Sequence, residues 1–165
     1  SVVIPTPTGW ATCPSEAGHM ALAIAEREEL ALLEAGRSVE DILSGPGVVA
    51  LYRFLGGEGE GETLTSAEIL AHAPSDPIAS EVCRHVTRLL GRVAGDLVLA
   101  TAAWGGAYLF GSVVRGWEKA ASAQSFRSAF ENKGAMRKRM EAVPSAIVTY
   151  EDAAFFGLAK LPLPA

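Results

Sequence analysis

Apolar residues recur at Ile78, Val82, Val86, Leu89, Leu90, Val93 and Leu97, the three-to-four spacing of one helix face. This predicts a long helix from Pro77 to about Ala103 that packs on something large. Gly91 and Gly95, four apart, would let a neighbour approach it closely. Ahead of it, the β-branched run Val2-Val3-Ile4 predicts a strand, Pro5 to Gly9 a turn, and Trp10 to Cys13 a second short strand. Met20 to Ala35, rich in Ala, Leu and Glu, predicts a helix ended by Gly36. Ser38 is placed to cap a short helix that Ser44-Gly45-Pro46-Gly47 interrupts. Pro46 then sits in the first turn of a further helix, Gly47 to Leu55. Ser66 to His72 reads as a short helix. Beyond the long helix come a buried strand (Ala107 to Phe110), then Gly111-Ser112 and Gly116 around the turn into a helix. Phe126 to Glu131 is helical, Gly134 breaks it, and Met136 to Ala142 is helical and basic. Ser145 to Tyr150 is a strand, and Asp152 caps a last helix up to Leu158. Strands alternating with helices indicate an α/β domain, with too few strands for a complete doubly wound sheet.

Composition narrows the function. The chain has 165 residues, enough for one domain. Its 49% hydrophobic and 20% charged content excludes a disordered chain, and two cysteines, Cys13 and Cys83, exclude a disulfide scaffold. The net charge of −5 argues against a general nucleic-acid binder. The longest apolar stretch, Leu97 to Val114, is broken by Trp104-Gly105-Gly106 and by Gly111-Ser112, short of a membrane span. No membrane partner, a cytoplasmic location and free thiols are expected. Gly56 to Gly61 is glycine-rich, but Glu58 and Glu60 would repel phosphate and no lysine follows, so it reads as a solvated loop.

Three segments carry candidate chemistry. Glu16 and His19, three apart on a tight loop, can both face a hydroxyl-rich ligand, the carboxylate accepting hydrogen bonds and the imidazole donating or accepting. The alternative is that they cap the following helix. Glu40 lies in a first helical turn, where a carboxylate is favourable for the helix itself. The glycines flanking Ala107 to Phe110 would let a flat ring or a phosphate approach the backbone, or simply make a tight turn. His72 and His85 sit on separate helices, so no zinc site is expected. Lys133, Arg137, Lys138 and Arg139 form a basic cluster that reads first as a solvated helix face.

Together these segments resemble bacterial glucokinase of the non-ROK type, in the hexokinase and actin-like ATPase superfamily. Pro14 to His19 looks like the family's P-G-E-G-G-H sugar loop. Val39 to Gly47 is similar to E-R-V-L-S-G-P-G. Gly105 to Val114 resembles the adenosine motif G-G-V-F-I-A-G-G-I-V, and Ser125 to Gly134 resembles G-F-R-A-A-F-E-D-K-G. The resemblance covers nearly the whole chain. It implies that Glu16, His19 and Glu40 hold sugar hydroxyls and that Gly106, Gly111 and Ser112 pack adenine, with Ser112 and Ala17 each replacing a family glycine.

The family's D-x-G-G-T and G-T-G-x-G phosphate turns and its N-D catalytic pair are missing; the single asparagine, Asn132, precedes Lys133. The resemblance therefore implies an incomplete large C-terminal domain of the actin-like ATPase (ribonuclease H-like) fold over residues 1–165, without the small N-terminal domain. The intact protein would transfer the γ-phosphate of ATP to the 6-hydroxyl of glucose, with Mg²⁺, as a homodimer. The isolated chain would be inactive and contain neither a catalytic residue nor a metal site. The rival expectation is a natural, non-catalytic sugar- and nucleotide-binding module.

Overall fold

The computed structural model describes residues 1–57, 64–150 and 153. It opens with an antiparallel hairpin, β1 (Val2–Thr6) and β2 (Gly9–Cys13), in the register Val2↔Cys13 to Thr6↔Gly9. The strand signal therefore extends through Pro5 and Thr6, and the turn narrows to Pro7 and Thr8. The hairpin stands outside the core, with Val3, Ile4 and Trp10 exposed.

Helices α1 (Leu32–Ala35), α2 (Val39–Ile42), α3 (Gly45–Phe54), α4 (Ser66–Ala71) and α5 (Pro77–Thr101) follow. After β3 (Ala107–Leu109) come α6 (Ser112–Trp117), α7 (Ala123–Glu131) and α8 (Arg137–Glu141). Strand β4 (Ser145–Ile147) returns beside β3 in parallel, Ala107↔Ser145. This is an α/β arrangement with short sheets and several helices. Part of the Gly56 to Gly61 loop and, apart from Ala153, the final helix expected from Asp152 lie outside the described residues.

Helix α5 is the centre. Asp76 caps it by accepting from the amides of Ile78 and Ala79, and Pro77 occupies its first turn. Tyr52 Oη of α3 donates to the other Asp76 oxygen at 2.7 Å, which ties the two helices. The predicted apolar stripe is buried at Val82, Val86, Leu89 and Val93. Val82, Val86 and Leu89 meet Leu51 of α3, Leu70 of α4 and Phe126 and Phe130 of α7 in one cluster. Trp117 Nε1 donates to Thr87 Oγ1 at 2.8 Å, so the indole is buried with its polar atom satisfied.

Gly91 and Gly95 do what their spacing suggests. A Cβ on Gly91 would stand 2.5 Å from the carbonyl oxygen of Phe126, and one on Gly95 2.5 Å from that of Phe130. Alanine at Gly95 has better helix propensity, worth about 1 kcal/mol, but backbone cannot yield to a contact that short. The overpacking cost of about 1–3 kcal/mol should prevail, and Gly95→Ala is expected to lower the melting temperature in calorimetry.

Three expectations are corrected. Met20 to Ala35 is not one helix: the chain is extended from Met20, makes a 3-10 turn over Arg27–Ala31 and is α-helical only over Leu32–Ala35. The reason is tertiary. Leu22 N donates to Arg37 O and Val39 N to Met20 O, a short antiparallel bridge at Ala21↔Ser38. The buried Glu29 carboxylate also takes the amides of Ala25 and Glu26. Gly36 ends α1 with extended backbone, φ −173°; glycine is needed there because a Cβ would lie 2.5 Å from that of Asp41. Second, β3 is not buried: Tyr108 is 68% and Phe110 53% exposed. Third, β4 stops at Ile147 rather than Tyr150. Smaller shifts end α5 at Thr101, with Ala102 left-handed at φ 52°, and start α7 at Ala123.

Candidate functional site

The loop after β2 closes in a 3-10 turn, Ala17–His19, with His19 N donating to Glu16 O at 3.0 Å. The antiparallel bridge between residues 20–22 and 37–39 then folds the chain back. This return places the first turn of α2 beside the loop, so a residue 21 positions beyond His19 comes next to it. His19 Nε2 is 3.8 Å from a Glu16 oxygen and His19 Nδ1 is 4.0 Å from a Glu40 oxygen. The three side chains gather on one open face, at 71%, 90% and 60% exposure for His19, Glu16 and Glu40. A Cβ on Gly18 would lie 3.0 Å from Glu40 Oε2, so this glycine permits the approach.

Neither Glu16 nor Glu40 makes a side-chain cap, although Glu40 does lie in the first turn of α2. Glu16 precedes the 3-10 turn but makes no side-chain capping bond. In α2 the cap is made by Ser38 and Asp41: Asp41 N donates to Ser38 Oγ, and Asp41 Oδ2 accepts from the amides of Ser38 and Arg37. These amides hold the Asp41 carboxyl below its ordinary pKa. Glu40 is left over, with its carboxylate turned toward His19. The Ser44-Gly45-Pro46-Gly47 block holds α2 in place: Ser44 Oγ accepts from Gly47 N at 3.0 Å. A Cβ on Gly47 would lie 2.4 Å from the carbonyl oxygen of Asp41. Ser38-x-x-Asp41 carries the spacing of a capping box, and both halves of it form.

The glycine-flanked strand forms a second candidate region. Gly106 has φ +133° and Gly111 φ +126°, values that favour glycine. A Cβ on Gly106 would be 3.1 Å from both Cγ and O of Pro144, whereas one on Gly111 would meet nothing within 4 Å. Gly111 therefore presents open backbone just before Ser112 begins α6. Arg139 stacks over the Trp104 ring at 4.0 Å, so one member of the basic cluster is not a free solvated charge. Lys133 is another: its Nζ donates to Asp96 at 2.6 Å and to Arg92 O at 2.9 Å.

A cavity of about 490 Å³ lies elsewhere, between α5, α7 and residues 25–26. Its cations Arg88, Arg92 and Lys133 are each paired with carboxylates, so it offers no free charge to a ligand. Among the described residues, no group of three or more His, Cys, Asp or Glu is placed to hold a metal ion. No helix is long and apolar enough to cross a membrane among the described residues. Cys13 is exposed and Cys83 buried, both as free thiols.

Comparison with known proteins identifies the family. Residues 1–163 match the sequence model of the glucokinase family. The glucokinase of Nitrobacter hamburgensis is 34% identical over 173 residues, covering 99% of this chain and 54% of that protein. That of Paramagnetospirillum magneticum is 30% identical, covering 98% and 54%. The chain thus spans about half the length of these curated relatives. A crystal structure of glucokinase from an Antarctic psychrotroph superposes with a TM-score of 0.75 at 28% identity, over 95% of this chain and 52% of that one. A glucokinase from Balamuthia mandrillaris, solved in complex with glucose, has the same fold, with a TM-score of 0.69 at 22% identity. With a family match that runs from residue 1 to residue 163, this chain belongs to the glucokinase family.

Proposed function

We infer that this chain is part of the large, C-terminal domain of an ATP-dependent glucokinase with the actin-like ATPase fold, and that Glu16, His19 and Glu40 hold the sugar. The observation that carries the reading is the convergence of two carboxylates, neither engaged in a cap, on one imidazole. Two carboxylates accept from adjacent hydroxyls, and a histidine between them donates or accepts according to its tautomer. Such a set orients a polyol, and orientation is much of what phosphoryl transfer asks of a protein.

The reaction moves the γ-phosphoryl group of ATP to the 6-hydroxyl of glucose. A carboxylate must accept the hydroxyl proton and a closing cleft must exclude water. None of the three residues is assigned the proton transfer; that base, the phosphate turns and the small N-terminal domain belong to the remainder of the protein. In this reading the enzyme is cytoplasmic and homodimeric, and Mg²⁺ accompanies ATP, bound mainly by the rest of the protein. Adenine lies against Gly106, Gly111 and Ser112, where the open backbone at Gly111 accepts a flat ring.

The full-length protein is expected to form ADP only when glucose is present, and the 165 residues alone to form none. Glucose-independent turnover by the full-length protein would contradict the reading. Gly111→Val, which fills the open backbone, is expected to raise KM for ATP while KM for glucose stays within about twofold. An unchanged KM for ATP would make this turn merely structural.

A further inference from the structure

The Phe126 to Gly134 segment has a task that core packing does not explain. Phe126 and Phe130 are buried, but Arg127, between them on α7, faces a different part of the fold. Its Nη1 donates to Val143 O at 3.0 Å and to Ser145 Oγ at 3.1 Å. Its Nη2 donates to Met140 O at 3.3 Å and Glu141 O at 3.4 Å. Glu131 one turn away accepts from Nε at 2.8 Å, and the guanidinium lies 4.7 Å from the centre of the Phe130 ring. One planar, five-donor group thereby fixes the stretch from Met140 to Ser145.

That stretch bears on the glycine-flanked strand. Val143 and Ser145, both held by Arg127, flank Pro144. Pro144 O accepts from Ala107 N at 3.0 Å, and the Pro144 ring and carbonyl are the atoms closest to where a Gly106 Cβ would sit. Ser145 is also the first β4 residue paired with β3. A cavity of about 300 Å³ borders Arg127 and residues 141–145. Met140 and Val143 of this stretch pack into the core, while its backbone carbonyls turn to Arg127.

We propose that Arg127 is a positioning residue for the nucleotide: through Val143, Pro144 and Ser145 it sets the backbone of Gly106 and of β3, which leads to Gly111. The proposal rests on the adenine reading given above. Lysine at this position keeps the charge but cannot span four acceptors in one plane.

In the full-length enzyme, Arg127→Lys is expected to raise KM for ATP roughly 3- to 30-fold, the size of effect that a residue acting through its neighbours has on a distant site. KM for glucose should stay within twofold. Where Arg127→Lys does not accumulate as folded protein, Ser145→Ala decides on the same split, because it removes one acceptor and leaves Arg127 in place. A rise below threefold, or an equal rise in both KM values, overturns the proposal and makes Arg127 a packing residue. Gly111→Val run alongside separates the two levels. If Gly111→Val raises KM for ATP and Arg127→Lys does not, the positioning role fails and the adenine reading stands. If neither does, both fail.

Discussion

Glu16→Gln and Glu40→Gln are each expected to weaken glucose binding by the full-length enzyme about 10- to 150-fold. That range corresponds to one charge-assisted hydrogen bond of about 1.5–3 kcal/mol. Glutamine keeps the shape of the side chain and one acceptor oxygen but loses the negative charge. Stability should change little, because neither carboxylate caps a helix and both are more than half exposed. Calorimetric titration with glucose, beside a melting curve, measures both quantities. A variant that lost affinity only in step with its melting temperature would assign the carboxylate to the fold instead.

The second large effect is structural. Glu29 is 0% exposed and accepts from both Arg92 terminal nitrogens, at 3.0 and 3.1 Å, and from the amides of Ala25 and Glu26. Arg92 also donates to Ala23 O. This cluster ties the extended run, and the bridge that returns the chain to Glu40, onto α5. Glu29→Ala would strand a mostly buried guanidinium and release two amides. Breaking a buried pair on one side costs about 3–5 kcal/mol, a large fraction of a domain's stability of about 5–15 kcal/mol. Urea denaturation of the chain measures it, and a loss below about 1 kcal/mol would contradict the assignment.

The same carboxylate has a pH signature. Burial pushes its pKa up, but Arg92 and the two amides outweigh burial and hold it below the ordinary 4.5. A depressed carboxylate contributes stability that is present above the unfolded pKa and lost as pH falls through the folded one. The gap between wild type and Glu29→Gln should therefore be full near neutrality and shrink below about pH 4.5.

Much of the fold was legible because the residues that shape it act locally. The stripe from Ile78 to Val93 marked α5, Pro46 marked the first turn of α3, and Gly91 and Gly95 marked a close helix contact. Met20 to Ala35 misled because its propensity is helical while Glu29 answers to Arg92, 63 positions away. No local pattern announces that pair, and tertiary contacts override a weak prior. The exposure of Tyr108 and Phe110 was hidden for a related reason: an apolar strand reads the same whether or not a neighbour covers it.

The family resemblance named Glu16, His19 and Glu40 and implied that they converge, as they do, but the route by which the chain returns was not legible. The expected helix after His19, about 24 Å long, would have had to be retraced for Glu40 to return. The chain instead extends and pairs Ala21 with Ser38, a shorter route that sequence spacing does not reveal. Asp41 likewise takes over the capping of α2 and leaves the Glu40 carboxylate out of the cap.

The central claim, that Glu16, His19 and Glu40 together hold the sugar, is tested most directly by a crystal structure of the full-length enzyme with glucose. The reading predicts glucose hydroxyl oxygens within about 2.6–3.2 Å of a carboxylate oxygen of Glu16 and of Glu40 and of a ring nitrogen of His19. Glucose bound with these three side chains still facing solvent would contradict it.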